Sequence, residues 1–325
     1  MSPRARTGLV VAALAVAAGV GVAVAATVGS ERRDSPEAHV PEPQPRPGLP
    51  PLSLDLGVRD DAEARELREA AALYDNDRPQ QALALFRRHD SLEAKLGAAF
   101  ASWPESEDRI EQLGALYPRS ALVQLHVGIA RFWAGVGGAE TAWREARDVE
   151  PDTPYAVSAG DLLHRDFAPG LPVFQPTRPL PAPVRGRRPA EQLELLRAGA
   201  EAGRLDYQLL YGVALQRLGR PVSARRAYTE AARAHPGEPE ALVADAVGRY
   251  AKESPVEAFS RLGPLSRRFP RAATVRFHLG LLLLWQGDVG EARRQLRLAQ
   301  AAEPSSCVAV EAGRYLDELA KVGTG

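Results

Sequence analysis

The chain has 325 residues, with 41 basic and 41 acidic side chains and a formal net charge of +0 at pH 7. This balance gives no bulk electric field that would attract nucleic acid, so we expect no nucleic-acid partner. The length allows either a large core or a long repeat array. The single cysteine, Cys307, excludes an intramolecular disulfide.

An uncharged stretch at residues 7–30 follows Arg4 and Arg6 at the start of the chain. As a helix, residues 8–29 would span about 33 Å, enough to cross the hydrocarbon core of a bilayer. We therefore predict that residues 1–30 form one N-terminal transmembrane helix or signal segment.

Two interpretations of this segment stay open. One is a single-pass anchor that contacts the membrane through residues 7–29. The other is a signal peptide cleaved after a small residue, Ala25 or Ala26. The apolar stretch is longer than the usual signal core of about 7–15 residues, which favours the anchor. The anchor leaves the rest of the chain extracytoplasmic, and cleavage leaves it secreted or periplasmic.

Residues 31–57 are rich in proline and are predicted to form an extended, semi-rigid linker without a packed core. A helical pattern begins near Asp60, so residues 58–168 are predicted to be a first block of helical repeats. Within this block Pro79 is expected to open a second helix.

The helical pattern stops at residues 169–189, which are again rich in proline. One interpretation is an insertion within a single helix pair formed by residues 155–167 and 190–202. The other is a linker between two repeat blocks. The insertion is favoured because each flanking helix otherwise lacks a partner that buries its apolar face. Residues 190–325 are predicted to be a second repeat block, closed by a polar capping helix at 305–321.

Residues 205–304 repeat with one period. Gly212 and Gly280 are 68 residues apart (280 − 212 = 68), which is twice 34. Three alanines and three prolines follow successive steps of 34, namely Ala224, Ala258 and Ala292, and Pro236, Pro270 and Pro304. A shared period in several columns indicates a repeat architecture rather than unrelated amphipathic helices.

Each repeat contains signals for two helices. An apolar stripe at helical spacing runs from Leu209 to Leu218. The sequence at residues 219–221, Gly-Arg-Pro, then ends the first helix and opens the second. Pro236 closes the unit because proline is excluded from a helix interior.

This arrangement resembles the tetratricopeptide repeat, whose period is 34 residues. The similarity rests on Leu-Tyr-Gly-x-x-Leu in the first helix, followed by Ala224, Tyr228, Ala231 and Pro236. The first-helix tryptophan of the family is missing, and leucine replaces its second-column tyrosine. The first block follows the same order at Gly128, Gly135, Ala139, Trp143, Ala146 and Pro151. The resemblance implies an all-α, right-handed superhelical solenoid of helix-turn-helix repeats.

The sequence contains no constellation typical of an enzyme. The six histidines have no zinc-ligand spacing, and no phosphate-binding loop or nucleophile motif is present. We therefore expect a non-enzymatic protein without a cofactor or a metal.

The resemblance implies that the first helices of successive repeats line a concave, peptide-binding groove. By the 34-residue period, the inward positions form an apolar wall with a few polar groups. Tyr250 and Trp285 lie near helix ends and are expected to stay partly exposed as contacts for a partner. The alternative for Trp285 is that it seals the joint to the capping helix. The predicted partner-binding residues are Leu209, Val213, Gln216, Arg217, Val247, Tyr250, Phe277, Leu281 and Trp285.

The predicted function is that of an adaptor or scaffold at the cell envelope, binding a protein or peptide of unknown identity in this groove. The alternatives are an assembly subunit of envelope machinery and a secreted periplasmic form of the same repeat protein.

Overall fold

The computed structural model describes residues 44–323. Over this range the chain is all-helical, with fifteen helices and no strand. The predicted membrane or signal segment at 1–30 lies outside the described residues. None of the helices within 44–323 combines the length and apolarity that a membrane crossing requires.

The structure divides into two compact units, described by residues 44–163 and 164–323. The N-terminal unit contains α1 (Ala62–Asp75), α2 (Pro79–Phe86), α3 (Leu92–Phe100), α4 (Glu107–Leu116), α5 (Ala121–Ala134), α6 (Ala139–Val149) and α7 (Pro154–Leu163). The C-terminal unit contains α8 (Pro189–Glu201), α9 (Leu205–Arg217), α10 (Pro221–Ala234), α11 (Pro239–Val247), α12 (Val256–Arg268), α13 (Ala273–Trp285), α14 (Val289–Ala302) and α15 (Cys307–Gly323).

Helix boundaries follow the predicted start and stop signals. Proline occupies the first position of α2 and α10, as expected for Pro79 and Pro221. Gly135 and Gly219 follow α5 and α9 with positive φ angles of 68° and 63°, a conformation that favours glycine. The second helices α10, α12 and α14 all end just before the periodic prolines. The all-helical fold and the helix ends predicted at these positions are therefore confirmed.

The helices of a pair approach closely because small residues lie at their crossing. A Cβ atom added at Gly212 would overlap the ring of Tyr228, and one at Gly128 would overlap the indole of Trp143. The alanine column at Ala224 and its two counterparts is fully buried. The pairs α9–α10 and α5–α6 are thus built from a glycine on one helix and a large side chain on the next.

The first helices of successive pairs lie side by side within a unit. In the C-terminal unit α9 packs against α11, α11 against α13 and α13 against α15. In the N-terminal unit α1 packs against α3, and α5 against α7. We call the shared surface of α9, α11 and α13, with the turn after α11, the C-terminal first-helix face.

Both proline-rich segments depart from their predicted behaviour. Residues 44–57 were expected to be a linker without a packed core, yet Leu52 and Leu56 are buried in the hydrophobic cluster of the N-terminal unit. In the C-terminal unit Ala168 and Phe174 are buried in the main cluster. Helix α7 ends at Leu163, before the predicted end, because the chain leaves the helix to enter this second segment.

Candidate functional site

Residues 168–177 cross the C-terminal first-helix face as an irregular, proline-rich segment. Phe174 is its deepest side chain and is fully buried. Its ring lies 5.7 Å from the ring of Tyr228 in an edge-to-face arrangement. The same ring also stacks on the imidazole of His278, with centroids 4.8 Å apart and an interplanar angle of 15°. One aromatic side chain therefore anchors the segment between α10 and α13.

Gln216, at the end of α9, binds the main chain at this anchor and two residues before it. Its Oε1 accepts the backbone N–H of Phe174 at 2.9 Å, and its Nε2 donates to the carbonyl of Pro172 at 3.3 Å. The hydroxyl of Tyr228 donates to the same Oε1 at 2.8 Å, which fixes the orientation of the amide. A single side chain thus satisfies a donor and an acceptor of the segment.

His278, in α13, accepts the next backbone N–H of the segment. Its Nδ1 lies 2.7 Å from the carbonyl of Thr274, and its Nε2 lies 2.8 Å from the backbone nitrogen of Gln175. The first contact requires Nδ1 to carry the proton, so Nε2 is the acceptor. Burial lowers the pKa of His278 to about 4, which keeps the ring neutral and this acceptor available at neutral pH.

Three further side chains bind the main chain towards the ends of the segment. Lys252 donates its ammonium group to the carbonyl of Ala168 at 2.7 Å. The indole N–H of Trp285 donates to the carbonyl of Gly170 at 3.4 Å. At the other end Glu240 accepts the backbone N–H of Thr177 at 2.5 Å.

The predicted partner-binding residues divide into three groups. The six aliphatic and aromatic residues of the wall join Phe174 in one hydrophobic cluster, and they are Leu209, Val213, Val247, Tyr250, Phe277 and Leu281. Gln216 is partly exposed and binds the segment directly, whereas Arg217 is exposed. Trp285 belongs to the same buried cluster and also donates to Gly170.

The expected exposure of Trp285 and Tyr250 is wrong. Their relative exposures are only 4% and 5%. Trp285 is buried because the chain at Gly170 covers its indole nitrogen and accepts its N–H. The phenol oxygen of Tyr250 is also buried and has no hydrogen-bond partner within residues 44–323.

The N-terminal unit holds a second proline-rich segment in a similar way. The backbone N–H of Ser53 donates to Nε2 of His126 at 3.1 Å, and Nδ1 of His126 lies 2.7 Å from the carbonyl of Leu122. Burial lowers the pKa of His126 to about 4 as well. The hydroxyl of Tyr74 donates to the carbonyl of Pro50 at 2.6 Å.

Further contacts lie at both ends of this second segment. The backbone N–H of Asp55 and the hydroxyl of Tyr155 are 3.1 Å apart. At the other end the backbone N–H of Arg46 donates to the carbonyl of Trp133 at 2.7 Å, and its guanidinium lies 3.9 Å from the ring centre of Phe132. The N-terminal unit therefore also binds an extended stretch of its own chain.

The two segments share a sequence motif that lies outside the 34-residue period. Residues 47–50 and 169–172 both read Pro-Gly-Leu-Pro, 122 residues apart (169 − 47 = 122). At the same offset, buried Leu52 corresponds to Phe174, and Ser53 to Gln175. We call residues 44–56 and 168–177 the N-terminal and C-terminal PGLP segments.

The helices that hold the segments also share a motif, His-x-Gly followed by Trp five residues after the glycine. It begins at His126 in α5 and at His278 in α13 (278 − 126 = 152). Neither motif follows the 34-residue period, which explains why a search for that period missed both. A search for identical short strings would have found the Pro-Gly-Leu-Pro pair.

No family model matches the chain. No curated protein matches it either.

Within the described range no group of His, Cys, Asp and Glu is arranged to hold a metal ion. The side chains that hold the two PGLP segments contact carbonyl oxygens and amide hydrogens of the main chain. Their arrangement is suited to holding an extended main chain.

Proposed function

We propose that the protein is a non-enzymatic adaptor of the tetratricopeptide-repeat type, held at the cell envelope by its N-terminal segment. In this proposal the helix pairs form a right-handed superhelix. The C-terminal first-helix face binds an extended segment of a partner protein.

The observation that carries this proposal is the way Gln216 and His278 bind the chain that crosses the face. Gln216 offers both a donor and an acceptor to the main chain, and the neutral ring of His278 offers a second acceptor. Main-chain hydrogen bonds combined with one buried side chain are the usual basis of recognition of an extended peptide. The burial of Phe174 between two rings supplies that side-chain anchor.

Site-specific photo-crosslinking in cells that produce the full chain tests this proposal. A photoreactive amino acid at position 217 replaces an exposed residue next to Gln216 at the end of α9. The control places it at Arg226, which is exposed on the second helix α10. We expect a partner protein to be crosslinked from 217 and not from 226. Crosslinking from 226 alone, or from neither position, would contradict the proposal.

A further inference from the structure

We infer that the C-terminal first-helix face recognises the motif Pro-Gly-Leu-Pro-x-(Leu or Phe), and that a partner peptide with this motif binds in place of the C-terminal PGLP segment. The inference rests on the proposed function and adds the chemical class of the ligand. It is drawn from the two segments that the protein itself holds in this way.

The first argument is that the same solution occurs twice. In both units the residue after the buried Leu or Phe donates its backbone N–H to a buried histidine, at 3.1 Å for Ser53 and 2.8 Å for Gln175. In both units the ring is fixed by a hydrogen bond to the carbonyl four residues earlier. The same motif and the same acceptor in two separate cores indicate a common mode of binding.

The second argument is that the motif positions have physical roles. Gly48 and Gly170 have φ angles of 80° and 73°, which side chains other than glycine rarely adopt. The prolines favour an extended backbone and bring no N–H group that would need a partner. The residue two positions after the second proline is buried, as Leu52 in one unit and Phe174 in the other.

The third argument is that a separate peptide has the groups needed to make the same contacts. The face binds the segment through side chains of α9, α11 and α13 and the turn after α11, together with Tyr228 of α10. The groups contacted are main-chain groups, the ring of Phe174 and the apolar side chains of Leu171 and Val173. None of these contacts requires the segment to be covalently joined to the rest of the chain at residues 168 and 177. The tethered copy competes at an effective concentration of about millimolar, so it weakens binding of any peptide in solution.

The experiment uses the full-length chain with residues 168–177 replaced by a Gly-Ser linker of equal length. The probe is a fluorescent synthetic peptide with the sequence of residues 168–177. Its binding is measured by fluorescence anisotropy. We expect the peptide to bind the linker variant at least about tenfold more tightly than the wild-type chain, because the tethered competitor has been removed. Absence of binding to the folded linker variant would overturn the inference.

Two altered peptides serve as matched controls. A Phe174→Ala peptide lacks the aromatic anchor, and a Gly170→Ala peptide cannot easily adopt the positive φ angle. Both are expected to bind the linker variant at least about tenfold more weakly than the parent peptide. Equal binding of all three peptides would show that the motif is not recognised, and would overturn the inference.

If the linker variant does not fold alone, thermal unfolding with and without the peptide becomes the measurement. Recovery of a cooperative transition by the parent peptide alone would support the inference, and an unchanged profile would overturn it. A wild-type chain that sediments as a dimer with exchanged segments would identify a second copy as the occupant, and would also overturn it. If a partner crosslinks from position 217 but the peptide does not bind, the ligand class is wrong while the proposed function stands.

Discussion

His126 and His278 are buried neutral rings whose two nitrogens have opposite roles. Nδ1 carries the proton and donates to a carbonyl of its own helix, so Nε2 can accept an N–H from a PGLP segment. Protonation of Nε2 would remove this acceptor and place a charge in an apolar core. Burial therefore lowers the pKa of both rings from 6.5 to about 4.

This shift predicts a loss of stability in mild acid. Between pH 6.5 and about 4 the unfolded chain binds more protons than the folded chain, so the free energy of unfolding falls as the pH falls. The pKa shift of each ring corresponds to about 3 kcal/mol in the free energy of unfolding. The stability is fully present above pH 6.5 and is lost as the pH falls through this window.

Urea unfolding at a series of pH values measures this effect. The double variant His126→Gln, His278→Gln keeps an acceptor at each site but does not titrate there, so its profile should be flatter between pH 6.5 and 4. Each single variant should remove about half of the difference. A double variant with the same pH slope as the wild type would contradict the assignment of the two rings.

Trp285 allows packing to be separated from hydrogen bonding. Trp285→Ala should cost about 3–5 kcal/mol, as is usual for truncation of a buried aromatic residue. Trp285→Phe keeps an aromatic ring but loses the 3.4 Å bond to Gly170, and should cost less. Chemical unfolding of both variants measures the two effects. A Trp285→Ala variant as stable as the wild type would show that the indole is not part of the core.

At the scale of helices, the pair of α9 and α10 depends on a glycine that leaves room for a large side chain. Gly212→Ala should destabilise the C-terminal unit by about 1–3 kcal/mol, because the added methyl group overlaps the ring of Tyr228. Gly290→Ala is the matched control, since it lies in α14 of the same unit and the nearest atom to its added methyl group is Oδ1 of Asp288 at 3.9 Å. The control should be neutral or stabilising by up to about 1 kcal/mol. Thermal unfolding compares the two, and equal melting temperatures would refute the packing role of Gly212.

The sequence predicts the helix pairs and their boundaries well because both depend on local signals. Pro79, Pro221 and Gly219 fix helix ends through backbone geometry that a neighbouring core does not change. The apolar wall was predicted for the same reason, since its side chains recur with the 34-residue period. Its residues from Leu209 to Leu281 are buried in one cluster.

The occupant of the wall could not be predicted in this way. A proline-rich stretch has no helical or strand period, and its own composition indicates a linker. What holds Phe174 in place is the placement of Gln216 and His278. Gln216 lies 42 residues after Phe174, and His278 lies 103 residues after Gln175, the residue whose N–H it accepts. The exposure of Trp285 was misjudged because it depends on this non-local contact.

At the scale of the whole molecule, each unit has its own hydrophobic cluster and its own PGLP segment. Leu52 and Leu56 belong to the cluster of the N-terminal unit, while Phe174 belongs to that of the C-terminal unit. The proline-rich segments are therefore parts of the two cores.

This organisation predicts that the N-terminal PGLP segment stabilises only its own unit. A chain that begins at residue 58 loses the burial of Leu52 and Leu56, which contribute about 1.5–3 kcal/mol each, offset in part by the entropy regained by the freed segment. It also loses the hydrogen bond from Ser53 to His126 in α5. Compared with a chain that begins at residue 44, amide exchange should be faster in α5, because local opening there becomes less costly.

Exchange in α13 is the internal control, since His278 keeps its bond to Gln175 in both chains. Equal exchange in α5 of the two chains would show that residues 44–57 act only as a linker, and faster exchange in both helices would show that the two cores are not energetically separate.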